Sequence, residues 1–580
     1  MKYAMGNGFA VRVIVILVLA GGLAGCEPFA LNPSDKDKAK EQAEPPKLPL
    51  HIAGTLGEYA ALGGRSRLPV QGYGLVVGLG GNGSKEIPQH VRRYLIQYLL
   101  KNRERFRGWG LAEVAPSRVL QDLDTAVVRV RGSIPPAASQ DSRFDVMVTA
   151  LSATGTRSLD GGILVPTEMH LDVGNMQPGQ GSKIWAIAGG PVMVNPFIDP
   201  TDRQQAAKLR QAVIVGGGVT SRRRKVSLQL YRADFARSDQ IQHLINARFP
   251  GVDRVARAKN ASVTELTIPR EVGGDQAHFL ALVMHLPMRT GPRAWEVHAR
   301  KLLAEMQKPD AAHESLAMVL EAHGRKVLPV LGALYDAPVA PAAFYAARTG
   351  VRLGDRLADD TIRRFAGSQG DPLQLAAIEV MGDIKGIVRA DLTLRELLDR
   401  DNDMVRVAAY RALTRRRSAS VLTISVDGQF HVDIVPSSRR PMIFATRTQD
   451  PRIVLFGDDL AIARPVFFNM PDDLVTVNAR EGSDALDVWR RLPGSDRISD
   501  TLKVSFELAE LIQTLGGKPQ RGIDRKVHAL GLTYGQIVAV LYRLCEQGHV
   551  PAKFILEPAP AEHELLKRIK EAETYNMSGT

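Results

Sequence analysis

The sequence predicts an α+β protein in which β-rich regions are interrupted by an all-α helical-repeat segment. Three observations carry that prediction. Apolar residues alternate at Ala126, Val128 and Val130 and again at Phe144, Val146 and Val148, the two-residue period of a half-buried strand. Asp427-Gly428 separates the runs Val421 to Val426 and Gln429 to Val435, a hairpin signal because a two-residue turn needs positive φ at both central positions. Between these β-rich stretches the period changes. Asp336 to Arg348, Asp371 to Met381 and Asp403 to Leu413 each open on an acid and carry an Ala-Ala pair: Ala342-Ala343, Ala376-Ala377 and Ala408-Ala409. Small residues recurring 34 and 32 residues apart let stacked helices approach closely, so a degenerate HEAT-like array is expected, with a plain helical bundle as the alternative.

The N-terminus reads as an export signal. Lys2 and Arg12 precede the apolar run Val13 to Ala20, too short to span a bilayer but of secretory length. It ends in Leu23-Ala24-Gly25-Cys26, which looks like a bacterial lipobox, making Cys26 the expected lipidation site and the membrane a partner through that lipid. Several acyl chains would hold firmly where one holds only marginally. Glu27 does not resemble the aspartate retention signal of some bacteria, so the outer membrane is expected rather than the inner. Residues 27–50 are rich in Lys, Asp, Glu, Pro and Ala and lack the apolar mass to offset chain entropy. They are expected to form a disordered tether of about 25–30 Å mean reach.

The 580 residues allow several domains, and the apolar fraction of 44% is ordinary for globular chains. The formal charge is +13, or +11 once Lys2 and Arg12 leave with the signal, so an acidic neighbour is expected: nucleic acid, membrane lipid or cell-wall polymer. Export makes nucleic acid the least expected of them. The only cysteines are Cys26 and Cys545, so no disulfide framework is expected.

Other elements follow from local signals. Tyr73 to Val77 reads as a strand, Gly78 to Gly83 as a glycine loop, and 89–103 as a helix with Val91, Tyr94, Leu95, Tyr98 and Leu99 on one face. Strands are expected at 184–188, 226–230 and around Leu266 and Ile268, with Ser238 capping a short helix. Thr533 and Gln536 form a capping box for a helix ending at Gly548, Leu532 can staple to Ile537, and Lys553 to Leu556 is a last strand. A short helix is also expected near 562–573.

Chemical signatures are sparse. Gly78-Leu-Gly80-Gly-Asn-Gly83 matches G-x-G-x-x-G, but Ser84 to Pro88 separates it from the helix that should face a pyrophosphate. No metal spacing, nucleophile elbow or His-Glu-x-x-His helix is present, so no enzyme activity and no cofactor are expected. Cys545 reads as a packing residue, and the pairs Asp458-Asp459 and Asp472-Asp473 as turns. Two basic runs stand out. Arg222-Arg223-Arg224-Lys225 is a candidate contact for an anionic polymer, with a solvated loop as the alternative; Arg415-Arg416-Arg417 closes a helix, where the dipole favours cations.

Gln71 to Gly83 closely resembles the opening motif of the flagellar P-ring protein family. The likeness continues in order through Phe144 to Val148, Ser158 to Leu164, Trp185 to Pro191, segment 226–250 with Asp234-Phe235 and Ile245-Asn246, Val454 to Ile462, and Leu532 to Leu556. The resemblance implies a periplasmic structural subunit of the flagellar basal body that forms a homo-oligomeric ring around the rod, meets the L-ring protein, associates with peptidoglycan and makes or breaks no bond. The lipobox, Gly81-Asn82-Gly83-Ser84 in place of Gly-Thr-Gly-Asp, and the helical array depart from the family pattern. The expected organisation is a signal peptide (1–25), a lipidated cysteine and tether (26–50), a P-ring-like α+β region (51–295), a HEAT-like array (296–420), a β-rich region (421–500), a C-terminal P-ring-like α+β segment (501–560) and a tail (561–580).

Overall fold

The computed structural model describes residues 48–558 apart from 65, 110, 173–182, 199–201, 252–253, 270–271, 273–274, 290, 292–293, 449, 458, 471–472, 493–496 and 520–527. Cys26, the signal, the tether as far as residue 47, Asp458, Asp472 and the tail helix lie outside the described residues.

After β1 (Ala60–Gly63), six strands build a barrel: β2 (Leu68–Val77), β3 (Thr125–Ile134), β4 (Arg143–Ala150), β5 (Ile163–Leu171), β6 (Ala186–Pro191) and β7 (Gln211–Thr220). They are hydrogen-bonded in the order β2-β3-β4-β7-β6-β5, and β5 closes back on β2, every pair antiparallel. Closure leaves no open edge. Alternation then decides the faces. Ala126, Val128 and Val130 point inward with Phe144, Val146 and Val148, while Leu75, Val127 and Val165 face outward onto helix α1 (Gln89–Lys101) through Val91, Leu95, Tyr98 and Leu99. The interior is tight. A Cβ at Gly132 or at Gly218 would lie 2.6 Å from the Phe144 ring, so glycine on both flanks makes room for that side chain.

Strands β8 (Val226–Leu230), β9 (Ala256–Ala258) and β10 (Val263–Leu266) join β1 in a second antiparallel sheet, order β1-β8-β10-β9. One face is covered by α2 (Phe235–Arg248) and α3 (Gln276–Met284), with Leu228, Ile241, Ile245, Phe279 and Val283 in the shared core. Ser238 does not cap α2. Asp234 does, accepting from the Arg237 amide at 3.1 Å, because a carboxylate ahead of Phe235-Ala-Arg starts the helix a turn earlier. Ser238 is buried and donates to the Asn260 carbonyl at 3.0 Å.

The array runs through α4 (Ala294–Met306), α5 (His313–Ala322), α6 (Ala340–Leu353), α7 (Asp359–Gly367), α8 (Gln374–Asp383), α9 (Ala390–Leu397) and α10 (Asp403–Arg416). Helices α5, α6, α8 and α10 lie parallel in one layer: Arg348 meets Glu314 at 3.1 Å, Thr349 faces the Ala317 carbonyl, and Arg415 meets Asp383 at 2.9 Å. Helices α7 and α9 return between them. Ala342, Ala343, Ala377 and Ala409 are buried where the helices meet, and Gly382 faces Ala412, where a Cβ would come within 2.9 Å.

Beyond the array, β11 (Leu422–Val426), β12 (Phe430–Val435), β13 (Met442–Ala445), β14 (Arg452–Phe456) and the late β19 (Lys553–Leu556) form a mixed sheet, order β11-β12-β14-β13-β19. In the hairpin, Asp427 and Gly428 take positive φ and the Gln429 amide donates to Val426, but Val426 pairs with Phe430. Three residues therefore stand between the paired positions, not two. Strands β15 (Val466–Asn469), β16 (Thr476–Ala479), β17 (Leu486–Trp489) and β18 (Leu502–Val504) make an antiparallel sheet whose core is shared with α11 (Leu508–Gly516) and α12 (Tyr534–Glu546). The α12 capping box is complete, and Leu532 and Ile537 share that core. Asp433, fully buried where α10 meets the mixed sheet, accepts from Thr423 at 2.6 Å, Arg452 at 2.8 Å and the Tyr410 hydroxyl. No described helix is long and apolar enough to cross a membrane.

Candidate functional site

The glycine loop is the segment most suited by sequence to hold a ligand. Strand β2 delivers it, and Gly78, Gly80 and Gly81 all take positive φ, which frees the amides to point inward. Those amides are already used. Asp124, just ahead of β3, accepts from Gly78 at 3.1 Å and from Gly80 at 2.6 Å. A carboxylate of the chain itself sits where a dinucleotide fold would place phosphate, and α1 does not begin until Gln89. Gly83 completes the loop against the barrel, its amide donating to the Leu123 carbonyl at 2.7 Å. The loop closes a barrel end.

The basic run 222–225 forms the turn between β7 and β8, and its side chains diverge. Arg222 and Arg223 are exposed, and Arg222 also donates to the Ile184 carbonyl at 3.1 Å. Arg224 turns inward, donating to the carbonyls of Ile134, Pro135 and Gly64 at 3.3, 2.9 and 3.4 Å. Its burial without a carboxylate pushes the guanidinium pKa down to about 10. Lys225 pairs with Glu265 at 3.2 Å. Of the four, Arg222 and Arg223 are presented to solvent with a cation to spare.

In the second basic run, Arg415 and Arg416 are engaged within the array. Arg416 contacts Asp391 and donates to the carbonyls of Met381 and Ile384 at 2.9 Å, whereas Arg417 is exposed in a left-handed cap. Cys545 is half-buried on α12, and burial pushes its thiol up to about 12, so it is a poor nucleophile at neutral pH.

A feature the sequence reading missed is a cleft of about 380 Å³ between α3 and the array. Asp275 and His278 line one side; Glu314, Arg348, Arg352, Glu379 and Asp383 line the other. Most of these groups satisfy each other. His278 meets Glu321 at 2.6 Å, and Arg352 reaches the carboxylates of Asp275 and Glu321 at 3.8 Å. Asp383 has its pKa raised by burial, opposed by Arg415. A signal existed: Phe344, Arg348 and Arg352 share one face at four-residue spacing, as do Glu379 and Asp383. What the sequence lacks is any hint that α3 would cover them. The cleft is a polar seam holding two regions together. Among the described residues no group of His, Cys, Asp or Glu is arranged to hold a metal ion.

Charge separates the regions more sharply than any one cluster. Residues 51–295 hold 31 Lys and Arg against 19 Asp and Glu, a net +12, whereas 296–580 hold 38 of each. The basic character of the chain therefore belongs to the barrel and the first sheet.

Comparison with known proteins follows the same division. Residues 56–297 match the family described as Flagellar P-ring protein, from the turn before β1 into α4. Among relatives named Flagellar P-ring protein, that of Oleidesulfovibrio alaskensis is 28% identical over 241 residues, 40% of this chain and 60% of the relative. That of Geotalea uraniireducens is 26% identical over 292 residues, 48% of this chain and 72% of the relative. The one from Rhizobium johnstonii is 30% identical over 296 residues, 48% of this chain and 67% of the relative. The chain thus spans well short of the full length of these relatives, and less than half of it is aligned with them. The match over residues 56–297, with a relative 30% identical over 67% of its own length, places this chain in the flagellar P-ring protein family.

Proposed function

We propose that this chain is a structural subunit of a P-ring-like assembly of the flagellar basal body, closing head to tail around the rod in the periplasm. The observation that carries the reading is the unbroken family match over 56–297, which takes in both the barrel and the β1-β8-β10-β9 sheet. Its output is shape, and no bond is made or broken. The rod and the L-ring protein are its protein neighbours, and peptidoglycan is a further partner, for which the exposed Arg222 and Arg223 offer cations. Lipid on Cys26 anchors the chain, with the outer membrane favoured over the inner. The seven-part organisation laid out from the sequence belongs to the same reading.

Electron-microscope imaging of detergent-extracted protein tests it. Closed rings are expected; monomers alone, at high concentration and in envelopes, would end it. A second reading, a cell-envelope scaffold that reuses the fold for a non-flagellar complex, is favoured by the array and the sheets that lie beyond residue 297. Deleting the gene separates the two. Lost swimming supports the basal-body role, and normal motility with intact basal bodies supports the scaffold.

A further inference from the structure

The two edges of the helical array differ in how their charges are used. Because α5, α6, α8 and α10 are parallel, the turns after their C-termini fall on one edge and the turns before their N-termini on the other. The turns are in contact. Asp359 at the start of α7 accepts from the Val388 amide at 3.0 Å, and Arg416 reaches back to Ile384.

On the N-terminal edge the acids are spent inside the molecule. Asp336 pairs with Arg364 at 3.3 Å, Asp401 with Arg439 at 3.2 Å and Asp403 with Lys553, while Asp371 and Asp399 accept from backbone amides. On the C-terminal edge Arg325, Arg356, Lys385, Arg389 and Arg417 are exposed, and none makes an ion pair or side-chain hydrogen bond among the described residues. Helix dipoles favour cations at C-termini and explain part of this. They do not explain the apolar groups beside those cations: Leu357 is 78% exposed, Val388 50% and Leu392 47%. Aliphatic side chains and unpaired cations thus share one edge, the pairing that a bilayer with anionic headgroups accepts: apolar groups for the acyl boundary and cations for the phosphates.

We propose that this edge docks on an anionic lipid bilayer, with Leu357 and Val388 entering the headgroup boundary and the cations facing lipid phosphates. The inference is independent of ring formation. Protein begun at residue 27, and so without the signal segment or acyl chains, is sedimented with phosphatidylglycerol-rich vesicles and with pure phosphatidylcholine vesicles. Binding to the first is expected, weakening with salt. Combined Arg356→Glu, Lys385→Glu and Arg389→Glu should lower the partition coefficient by more than about tenfold, since each cation near an anionic surface contributes several-fold. Leu357→Asp with Val388→Asp should lower it several-fold without changing the thermal midpoint. Arg222→Glu with Arg223→Glu should leave it unchanged, which separates this edge from the basic turn. Equal binding to both vesicle types, or edge variants that bind like the parent, overturns the proposal. Retention on immobilised polyglutamate without vesicle binding would also overturn it, in favour of an acidic protein partner.

Discussion

The barrel and the array both bring backbones close together, but with different residues and different consequences. In the barrel, glycine sets the approach. Gly72, Gly74, Gly83, Gly132 and Gly218 all lie where a Cβ would fall within 2.6 Å of another atom, and around a closed ring a displaced strand shifts both neighbours. In the array, buried alanines set most of it, with glycine at two crossings, Gly350 and Gly382. Each helix layer touches only the next, as in other stacked repeats, so strain can stay local. A single added carbon should therefore cost more and spread further in the barrel.

The largest effect is expected at Gly83. A Cβ there would lie 1.9 Å from the Thr125 carbonyl oxygen and 2.6 Å from that of Leu123. Both are backbone atoms, so no rotamer change relieves the clash and the start of β3 must move. Gly83→Ala should destabilise by about 3 kcal/mol or more, with faster amide exchange across all six barrel strands. A loss below about 1 kcal/mol would show the loop to be slack.

Acid should reverse the order of damage. His323, at the end of α5, is buried with Nδ1 unpartnered and Nε2 3.2 Å from His298. Burial, then His298 and Lys326, push its pKa down to about 4. The folded value lies below the unfolded one near 6.5, so the folded state binds fewer protons. Stability is then full above about pH 6.5 and falls as the pH drops towards 4, by on the order of 3 kcal/mol. Urea unfolding across that window should show the array opening first, and His323→Gln should flatten the slope. An identical pH dependence in parent and variant would remove His323 as the cause.

Legibility in sequence divides along the same line. The array was readable because its information is local: the Ala-Ala pairs lie inside single helices, and all three proved to be helical. The barrel was only half readable. Strand β4 alternates cleanly and β3 does so at Ala126, Val128 and Val130, but β5 carries Pro166, which sits at a register shift between Leu164 and Thr167, and β7 carries Gly216-Gly217-Gly218 beside another. Proline and a glycine run argue against a strand when no partner is visible. Closure itself pairs β2 with β5, nearly a hundred residues on, and no local pattern records that. Arg224 failed for a related reason. A run of four cations reads as surface, and only the carbonyls of Ile134 and Pro135 explain why one of them turns inward.

A third contrast concerns overpacking at Ala409, buried where α10 meets its neighbours. Ala409→Leu should cost about 1–3 kcal/mol. Exchange should quicken in α8, α9 and α10 while the barrel amides keep their protection. Loss of protection in both regions together would mean that they unfold as one, and the comparison would fail.

The smallest effect tests whether the glycine loop is a structural closure or a ligand cradle. Asp124 offers both carboxylate oxygens to the Gly78 and Gly80 amides, and Asp124→Asn leaves one carbonyl oxygen and no charge. One charge-assisted hydrogen bond is lost at a partly exposed site, so a destabilisation of about 1–2 kcal/mol is expected, with faster exchange at those two amides alone. If the loop existed to hold a phosphate, the variant should be stabilised when phosphate is added, because removing the internal carboxylate would vacate two inward-pointing donors. Because the loop abuts the carbonyls of Leu123 and Thr125 through Gly83, no such rescue is expected, and the amides should exchange equally fast with phosphate and without it.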